Sequence, residues 1–524
     1  MIRELPVTAV QEALHRRWRL LIPIYILLAI IAVLGVVCFI LAVILLWQFA
    51  QNRTPHYADI VEEFKYGSIG TEPHSGIPYR IWRVLPALFP EDFGGRQDYS
   101  AFGFIYEKDA DGRQRDLPIG ISRRTYRNVD IVWFNCATCH TGTVSATTSS
   151  PDGQQRPARH IIPGMPSNNL YLERFIYFLL NAGADERLSP DSLIPEINKT
   201  GPTLGPPDEF IYRWYVIPML RDGLLERRTR LFPLFAQQPP WGPGRVDTFN
   251  PYKLIQANMP LASLRQDELI GIADFPSIFN QGPREGMHLH WDGDNTSLAE
   301  RNLSAAIGAG VTPDSVDFDA IDRVADWLKT LRPPASPHHP DAAAVARGRD
   351  IFMSQCRACH GLADSEGYTF TGNAIGQVEP NDTLGTDPHR LDSYTEKFRE
   401  FQLANFFVGT PHQFKYFTKT NGYANLPLDG LWMRAPYLHN GSVPTLAALL
   451  QAPSQRPVAF IRGIDRPDTK NGGFEAPPCD PSAPPANSFC FDTRLPGNHN
   501  AGHLYGTDLP EAAKTDLLAY LLTF

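Results

Sequence analysis

The sequence predicts a mainly α-helical protein with much irregular chain, arranged as two domains behind one N-terminal transmembrane helix. Its 524 residues are 43% hydrophobic and 20% charged, which is ordinary for a globular protein with room for two or three domains. Its 47 prolines are about twice the usual share and favour long irregular connections between short helices. A charge-free apolar run lies near the N-terminus, and one five-residue motif occurs twice, 220 residues apart (356 minus 136).

The overall charge excludes one class of partner. The net charge is −8, so the chain offers no basic field for a polyanion, and we expect no nucleic acid partner. Seven cysteines are too few for the disulfide scaffold of a protein this long, and four of them belong to the repeated motif.

The first predicted element is a membrane anchor over residues 20–48. No charged residue occurs from Leu20 to Trp47, and about 20 apolar residues are enough to span a bilayer. A cleaved signal peptide is the alternative, but residues 48–50 read Gln-Phe-Ala and fit the small-residue pattern of a cleavage site poorly. The lack of a polar face argues against a buried core helix.

Positive charges at the ends of this anchor predict its orientation. Four arginines precede the span and one follows it closely: Arg3, Arg16, Arg17, Arg19 and Arg53. By the positive-inside rule, residues 1–19 form a cytoplasmic tail and the rest of the chain lies on the other side of the membrane.

The chain after the anchor divides at a proline-rich linker. Residues 332–340 contain four prolines, which predicts one domain over residues 49–335 and another over residues 336–524. Apolar spacing predicts helices at Asn169–Leu180, Asp317–Leu331, Asp341–Ser354 and Leu509–Phe524. Aromatic and β-branched runs predict extended segments at Ile77–Val84 and Ala101–Tyr106.

The repeated motif carries the chemistry. Residues 136–140 read Cys-Ala-Thr-Cys-His, and residues 356–360 read Cys-Arg-Ala-Cys-His. With this spacing, two thiols can form thioethers to the vinyl groups of a haem while the histidine supplies the proximal iron ligand. A zinc site would use both cysteine pairs together, and a thioredoxin-like pair would need no histidine, so both are weaker interpretations. Two covalently bound haem c groups are therefore predicted, on Cys136, Cys139, His140, Cys356, Cys359 and His360.

The surroundings of the second motif indicate a small cytochrome c domain. Residues 344–352 form a helix that leads into the motif, and Gly348 within it requires close packing against another helix. A terminal helix crossing at that point resembles the cytochrome c fold, and both domains are predicted to be cytochrome c-like. His439 lies on a loop bounded by Pro and Gly and is the predicted distal ligand, with Met433 as its competitor.

The first motif has three candidate distal histidines. They are His160, His288 and His290, of which the last stands beside Trp291. A tryptophan is most often a core residue, but an indole between two macrocycles could carry electrons. We prefer His290, either as an iron ligand or as an acid/base for a bound oxygen species.

The remaining cysteines have structural interpretations. Cys479 and Cys490 lie in a proline-rich loop, and a disulfide between them is predicted in an oxidising compartment, with two free thiols as the alternative. Haem c is attached on the outer side of the bacterial inner membrane, which places the haem domains in the periplasm. Cys38 lies within the anchor and is interpreted as a small apolar residue.

Both motifs and several flanking blocks resemble the di-haem cytochrome c peroxidase superfamily. That group includes the methylamine-dehydrogenase maturation enzyme and the rubber oxygenases, and the rubber-oxygenase-like branch is the closer match. The resemblance covers most of residues 60–524. It rests on Phe64–Gly70, Gly244–Pro251, His290–Asn295, Arg301–Gly310 and the block Tyr437-Leu-His439-Asn-Gly-Ser-Val-Pro-Thr.

The resemblance implies a role for each site residue. His140 and His360 would be proximal ligands, and His439 would be the distal ligand of the C-terminal haem. Trp291 would lie between the haems, with the N-terminal haem as the reactive one and the C-terminal haem as an electron relay. Two departures from the family pattern occur. His290 stands where an apolar residue is expected, and Val311-Thr312 replaces a distal carboxylate, leaving Glu300 and Asp314 as the nearest acids.

The predicted function is electron transfer with peroxide reduction at the N-terminal haem, and His290, Trp291 and Glu300 are the predicted catalytic residues. The alternatives are a pure electron carrier and a dioxygen-using oxygenase of the rubber-oxygenase type. The expected partners are the bilayer through Leu20–Trp47, a small oxidant such as hydrogen peroxide or dioxygen, and a redox partner. The redox partner would be a small cytochrome, a cupredoxin or a quinol-oxidising complex.

Overall fold

The computed structural model describes residues 7–149, 155–364 and 367–524, and its secondary structure is mixed helical with many irregular regions. The α-helices are Val7–Phe49, Ile60–Tyr66, Glu72–Ser75, Tyr79–Leu88, Cys136–Cys139, Leu172–Ala184, Pro190–Thr200, Pro206–Ile211, Ile217–Phe235, Asn250–Ile255, Leu298–Ala309, Phe318–Leu328, Ala342–Gln355, Arg357–His360, Asn381–Leu384, His389–Ser393, Glu396–Asn405, Leu446–Leu449 and Glu511–Leu521. Short helices joined by long irregular connections are what the high proline content predicts.

The strands are short and pair mostly as isolated antiparallel ribbons. They are Ile77–Pro78, Ile121–Tyr126, Val129–Phe134, Thr141–Ser149, Gln155–Pro163, Arg245–Asp247, Ile272–Asp274, Leu362–Asp364, Gly367–Thr369, Val378–Pro380, Gly422–Ala424, Ala459–Arg462 and Phe489–Asp492. The longest ribbon pairs Thr141–Ser149 with Gln155–Pro163 directly after the first motif, and the sequence did not predict it.

The chain separates into two compact units, of which the first contains the residues up to Thr54 together with Thr125–Asp130. Its helix Val7–Phe49 includes a stretch, Leu14–Ile44, that is long and apolar enough to cross a membrane. The predicted span lies within this helix. Arg3, on which the orientation partly rests, is outside the described residues, and the orientation remains a prediction.

The second unit contains Pro55–Arg124 and Ile131–Phe524, and therefore both copies of the motif. Its helices Ala342–Gln355 and Glu511–Leu521 cross at Gly348, where a Cβ atom would lie 1.9 Å from the carbonyl oxygen of Asp516. Only glycine permits this approach of the two backbones. The predicted close helix crossing is confirmed.

Side chains on both sides of the predicted domain boundary share one core. Phe352 packs on Tyr520, with ring centroids 5.2 Å apart, in a buried cluster beside the helix crossing. The same cluster includes Val144, Met165 and Phe279 from the chain before residue 335. The boundary between residues 335 and 336 stays a prediction, and the two stretches of chain pack together.

The segment Ile77–Val84, predicted to be extended, forms a strand only at Ile77–Pro78 and is helical after it. Residues 79–88 form a helix that buries Ile81, Trp82 and Leu85 on one face. The ring of Trp82 stacks on Tyr99, with centroids 3.7 Å apart, so aromatic packing outweighs the β propensity of this run. The second segment predicted to be extended begins within the 3₁₀ turn Tyr99–Phe102 and is irregular after it.

The predicted disulfide is confirmed. Cys479 and Cys490 are bonded, with their Cα atoms 5.9 Å apart. The bond anchors the proline-rich loop to the ribbon formed by Ala459–Arg462 and Phe489–Asp492.

Replacing Glu173 by glutamine should stabilise the folded protein at high pH. Burial raises the pKa of Glu173 from 4.5 to about 7, while its carboxylate accepts a 2.8 Å hydrogen bond from the Trp241 amide. The unfolded chain loses this proton at lower pH than the folded chain does, so ionisation destabilises the folded state increasingly between those two values. An amide keeps the acceptor and removes the charge. The expected gain at pH 8 is about 2 kcal/mol, and it should vanish near pH 4.5.

Thermal unfolding of the detergent-solubilised full chain at both pH values measures this effect. The exposed Glu400 gives the matched control, since Glu400→Gln removes a carboxylate that no burial disfavours. A stabilisation by Glu173→Gln of equal size at both pH values would contradict the explanation.

Candidate haem sites

The first motif lies on a short helix, Cys136–Cys139, that its neighbours hold rigidly. Asn135 caps the helix, because its side-chain oxygen accepts a 3.0 Å hydrogen bond from the Ala137 amide. The Thr138 hydroxyl donates to the carbonyl of Gly120 at 2.6 Å. Gly120 has φ +90°, and a Cβ atom there would lie 2.4 Å from the Thr138 Cα atom. A larger residue at this position would displace the motif.

The histidine of the first motif is prepared to bind a metal. His140 Nδ1 lies 2.9 Å from the Pro276 carbonyl oxygen, which can only accept, so Nδ1 carries the proton and Nε2 is left for a ligand. Burial lowers the pKa of His140 to about 4, which keeps the ring neutral. Cys136 and Cys139 are free thiols, and burial raises their pKa values to about 11 and about 12.

The second motif has the same arrangement of two thiols and a histidine, but different elements of the fold hold it. It follows the helix Ala342–Gln355, and its own helix is Arg357–His360. His360 Nδ1 donates to the Leu426 carbonyl oxygen at 2.7 Å, and burial lowers the pKa of His360. Cys356 and Cys359 are also free, with pKa values raised by burial. Both copies thus present two thiols and a neutral imidazole whose proton is fixed by a backbone carbonyl.

A histidine that the sequence analysis did not single out faces the second motif. The rings of His360 and His503 have their centroids 6.2 Å apart, at an interplanar angle of 43°. Two imidazole nitrogens on opposite sides of one metal ion, each about 2 Å from it, hold their ring centroids about 6 Å apart. Burial lowers the pKa of His503 to about 4, and its Nδ1 atom has no hydrogen-bond partner among the described residues. The separation of the two rings therefore fits a pair of imidazoles that would hold one haem iron.

Arg456 holds the segment that carries His503. Its guanidinium donates to the carbonyl oxygens of Gly502 and His503, at 2.9 and 3.4 Å, and also to that of Asn500. No acidic partner of Arg456 occurs in the described part of the chain, and burial lowers its pKa to about 10. The Arg456 side chain therefore holds the backbone of this segment in place and so positions His503.

His439, the predicted distal ligand, is engaged elsewhere. Its ring stacks on Tyr423 with centroids 4.1 Å apart, and its Nε2 atom lies 3.0 Å from the Tyr423 hydroxyl oxygen. The Tyr423 hydroxyl in turn donates to the Asp387 carbonyl at 2.6 Å. Met433, the competing candidate, is fully buried in the core. Among the described residues, the ring that faces His360 is that of His503.

His290 lies near the first motif and is paired with a buried carboxylate. Its Nδ1 atom is 2.6 Å from Asp294 Oδ1, which orients the ring and leaves Nε2 available. Burial is the main cause of the lowered pKa of His140, and charge interactions with Arg301 and His290 lower it further, so His290 lies within electrostatic range of His140. No histidine ring faces His140 as His503 faces His360 within residues 7–149, 155–364 and 367–524.

Trp291 lies between the backbone segments that orient the two motif histidines. Its indole N–H donates to the Asp274 carbonyl at 2.8 Å, two residues before the Pro276 carbonyl that holds His140. Its own carbonyl accepts a 2.8 Å hydrogen bond from the amide of Ala424, two residues before Leu426. Trp291 is therefore hydrogen-bonded to both of the backbone segments whose carbonyls orient the motif histidines.

The other predicted residues have structural partners. Glu300 is buried and accepts hydrogen bonds from the Lys415 and Tyr416 amides, at 2.7 and 3.0 Å, which ties it to that loop. His160 is exposed on the strand Gln155–Pro163. His288 Nδ1 donates to the Gly293 carbonyl oxygen at 2.7 Å. The hydrogen bonds that Glu300 accepts from the Lys415 and Tyr416 amides give no support for an acid/base role of Glu300.

Arg301, beside the first motif, is buried and only partly hydrogen-bonded. Arg301 lies close enough to Cys136 for their charges to interact, and burial lowers the pKa of Arg301 to about 10. It donates to Gln281, yet its Nε atom and the Gln281 side-chain nitrogen are buried with no hydrogen-bond partner among the described residues. Buried donors of this kind fit the propionates of a haem. The residues present at both motifs therefore fit haem c.

Two family models match parts of the chain. Residues 422–461 match the RoxA-like, cytochrome c-like family, and residues 64–140 match the Y4iN-like domain. The first match includes Tyr423 and His439, and the second ends on the first motif. A cytochrome c-like domain implies haem c and a haem cytochrome function.

Two relatives come from Sinorhizobium fredii (strain NBRC 101917 / NGR234), and both are described as uncharacterized. The chain is 30% identical to protein y4iM over 259 residues, covering 44% of this chain and 57% of y4iM. It is 39% identical to protein y4iJ over 253 residues, covering 37% of this chain and 41% of y4iJ. The chain thus spans about half the length of the curated relatives it matches.

Proposed function

We propose that this chain is a membrane-anchored, di-haem c-type cytochrome that reduces peroxide at the N-terminal haem with electrons relayed by the C-terminal haem. One observation carries the proposal: the two motif histidines have different surroundings. His360 faces a second imidazole 6.2 Å away, whereas His140 faces none among the described residues. A haem with two histidine ligands suits electron transfer, and a haem with one histidine ligand can bind a small oxidant.

In this proposal, Cys136, Cys139 and His140 hold the reactive haem, and Cys356, Cys359, His360 and His503 hold the relay haem. His503 replaces His439 as the second ligand because the Nε2 atom of His439 is hydrogen-bonded to Tyr423. Haem c supplies one-electron redox chemistry and, where an iron position is open, a binding site for a small oxidant.

His290 acts as the acid/base beside the N-terminal site. Its Nε2 atom takes a proton from one oxygen of peroxide and returns it to the departing oxygen, while Asp294 holds the Nδ1 proton and the ring orientation. The net reaction consumes one hydrogen peroxide, two electrons and two protons and forms two waters. The electrons come from a redox partner, which we propose is a small cytochrome, a cupredoxin or a quinol-oxidising complex.

Trp291 is the proposed route for electrons between the haems. Its indole N–H donates to one of the backbone segments that orient the proposed proximal histidines, and its backbone carbonyl accepts from the other, each at 2.8 Å. The helix Val7–Phe49 would anchor the protein in a bacterial inner membrane, with a cytoplasmic N-terminus and haem domains over residues 49–335 and 336–524 in the periplasm.

Counting haems tests the basis of this proposal. The wild-type chain should carry two, by pyridine haemochrome assay and by mass. The double variants C136S/C139S and C356S/C359S should each carry one, and both should lose peroxide turnover with a reduced donor. The variant that keeps only the N-terminal haem should still show a high-spin ferric signal. A single haem in the wild-type protein, or two low-spin signals without peroxide turnover, would contradict the proposal.

The match to the RoxA-like family favours a second candidate, the dioxygen-using oxygenase. An open N-terminal site suits dioxygen as well as peroxide. Oxygen uptake in the presence of an apolar alkene, with no donor-dependent peroxide turnover, would favour the oxygenase. Donor-dependent peroxide turnover without such oxygen uptake would favour the peroxidase.

A further inference from the structure

A cluster of two histidines and a carboxylate, Asp387, His389 and His499, shares no residue with either haem motif. Asp387 Oδ1 is 2.8 Å from His389 Nδ1, and Asp387 Oδ2 is 2.8 Å from His499 Nδ1. One ligand atom from each of the three residues lies within 4.8 Å of the others. The mechanism proposed above uses none of these side chains.

The carboxylate of this cluster is buried, and the groups that contact it directly in the described part of the chain are imidazoles and backbone amides, while the charge of the buried Arg245 acts on it from a greater distance. The Asp387 side chain is 0% exposed, and its only ion-pair partners among the described residues are the two imidazoles. The backbone amides of His389 and His499 also donate to it, at 3.0 and 3.1 Å. A buried carboxylate is normally paired with Arg or Lys or coordinates a metal ion.

We propose that Asp387, His389 and His499 bind a divalent transition-metal ion, with Zn²⁺ as the best fit. Two imidazoles and one carboxylate are a donor set that zinc accepts, in tetrahedral geometry with a fourth position for water. The His499 side chain is 47% exposed, so the cluster opens to solvent on that side. Ligand atoms around such an ion lie somewhat over 3 Å apart, so small rotations of the partly buried His389 ring and the exposed His499 ring are sufficient.

A metal ion bound by this cluster would connect two segments of the chain. His389 begins the helix His389–Ser393, and His499 precedes His503 by four residues in an irregular segment. The metal ion would therefore fasten this segment to the helix at one end, while Arg456 holds its other end through the Gly502 and His503 carbonyls. This consequence rests on the proposed role of His503, whereas zinc binding itself does not depend on that role.

Equilibrium dialysis of the haem-loaded full chain against sub-micromolar free Zn²⁺, with zinc and iron measured by mass spectrometry, tests the site. One zinc per chain is expected. His389→Ala and His499→Ala should each weaken zinc binding by more than about 100-fold, since each removes one of three ligands. His74→Ala is the matched control, because His74 and Asp314 form an exposed imidazole–carboxylate pair at 3.2 Å without a second histidine. It should retain zinc.

Two results would overturn the proposal: no zinc retained by the wild-type chain, or equal zinc affinity in the wild type and both histidine variants. X-ray absorption at the zinc edge provides a second measurement, with two imidazole nitrogens and oxygen expected. A sulfur shell would mean that zinc occupies the cysteine motifs instead and would also overturn it. Zinc content is independent of peroxide turnover, so failure of the metal site and failure of the proposed function are distinguishable.

Discussion

Replacing His503 by alanine is expected to abolish the low-spin ferric signal of the C-terminal haem and to replace it with a high-spin signal. The reason is geometric: His503 is the imidazole that faces His360, with ring centroids 6.2 Å apart. Loss of a strong-field sixth ligand leaves the iron five-coordinate or water-bound. Low-temperature EPR of the fully oxidised protein measures the change, and the wild type should show one high-spin and one low-spin signal.

Two further variants distinguish ligation from a merely structural role. His503→Gly should recover the low-spin signal on addition of free imidazole, which a folding defect would not allow. His439→Ala should retain that signal, because His439 bonds to Tyr423. If His439→Ala causes the spin change and His503→Ala does not, His439 is the ligand and the assignment of His503 is wrong.

Replacing His290 by alanine is expected to lower peroxide turnover by about 10²–10⁴-fold, the usual contribution of a general acid/base. The resting EPR signals should not change, because His290 acts on the bound oxidant and is held by Asp294 at 2.6 Å. Steady-state turnover with a reduced donor and EPR of the same sample measure both effects.

His288→Ala provides the control for this experiment. His288 lies two residues earlier, and its Nδ1 atom is hydrogen-bonded to the Gly293 carbonyl, so its loss should leave turnover close to that of the wild type. A different result is expected if His290 caps the iron in the resting protein. The variant would then gain a high-spin signal and turn over peroxide more readily than the wild type, which would contradict the acid/base assignment.

Features that depend on residues close together along the chain were predictable from the sequence. The Cys-x-x-Cys-His motif contains both thiols and the predicted proximal ligand within five residues, so this prediction needs no tertiary information. Gly348 predicted a close helix crossing because glycine inside a helix is costly unless packing requires it, and a Cβ atom there would lie 1.9 Å from Asp516. Cys479 and Cys490 predicted a disulfide from their spacing and compartment.

The segment Tyr79–Leu88 shows where local patterns fail. Its aromatic and β-branched residues have strand propensity, and the structure nevertheless forms a helix that buries Trp82 against Tyr99. The packing partner lies 17 residues away (99 minus 82) and has no local signature. Contact with that partner, rather than the propensity of the run, determines the conformation.

By itself, the sequence determined that an apolar helix precedes the motifs, and it predicted where a cofactor can attach and which residues would supply the proximal ligands. Only the tertiary structure decided what faces those ligands. His360 and His503 are 143 residues apart (503 minus 360), and His503 stands in an irregular segment that no motif marks. The same holds for the carbonyls of Pro276 and Leu426 and for the cluster around Asp387. Attachment depends on covalent spacing within one turn, whereas the opposite face of each site is formed by distant segments that meet only when the core packs.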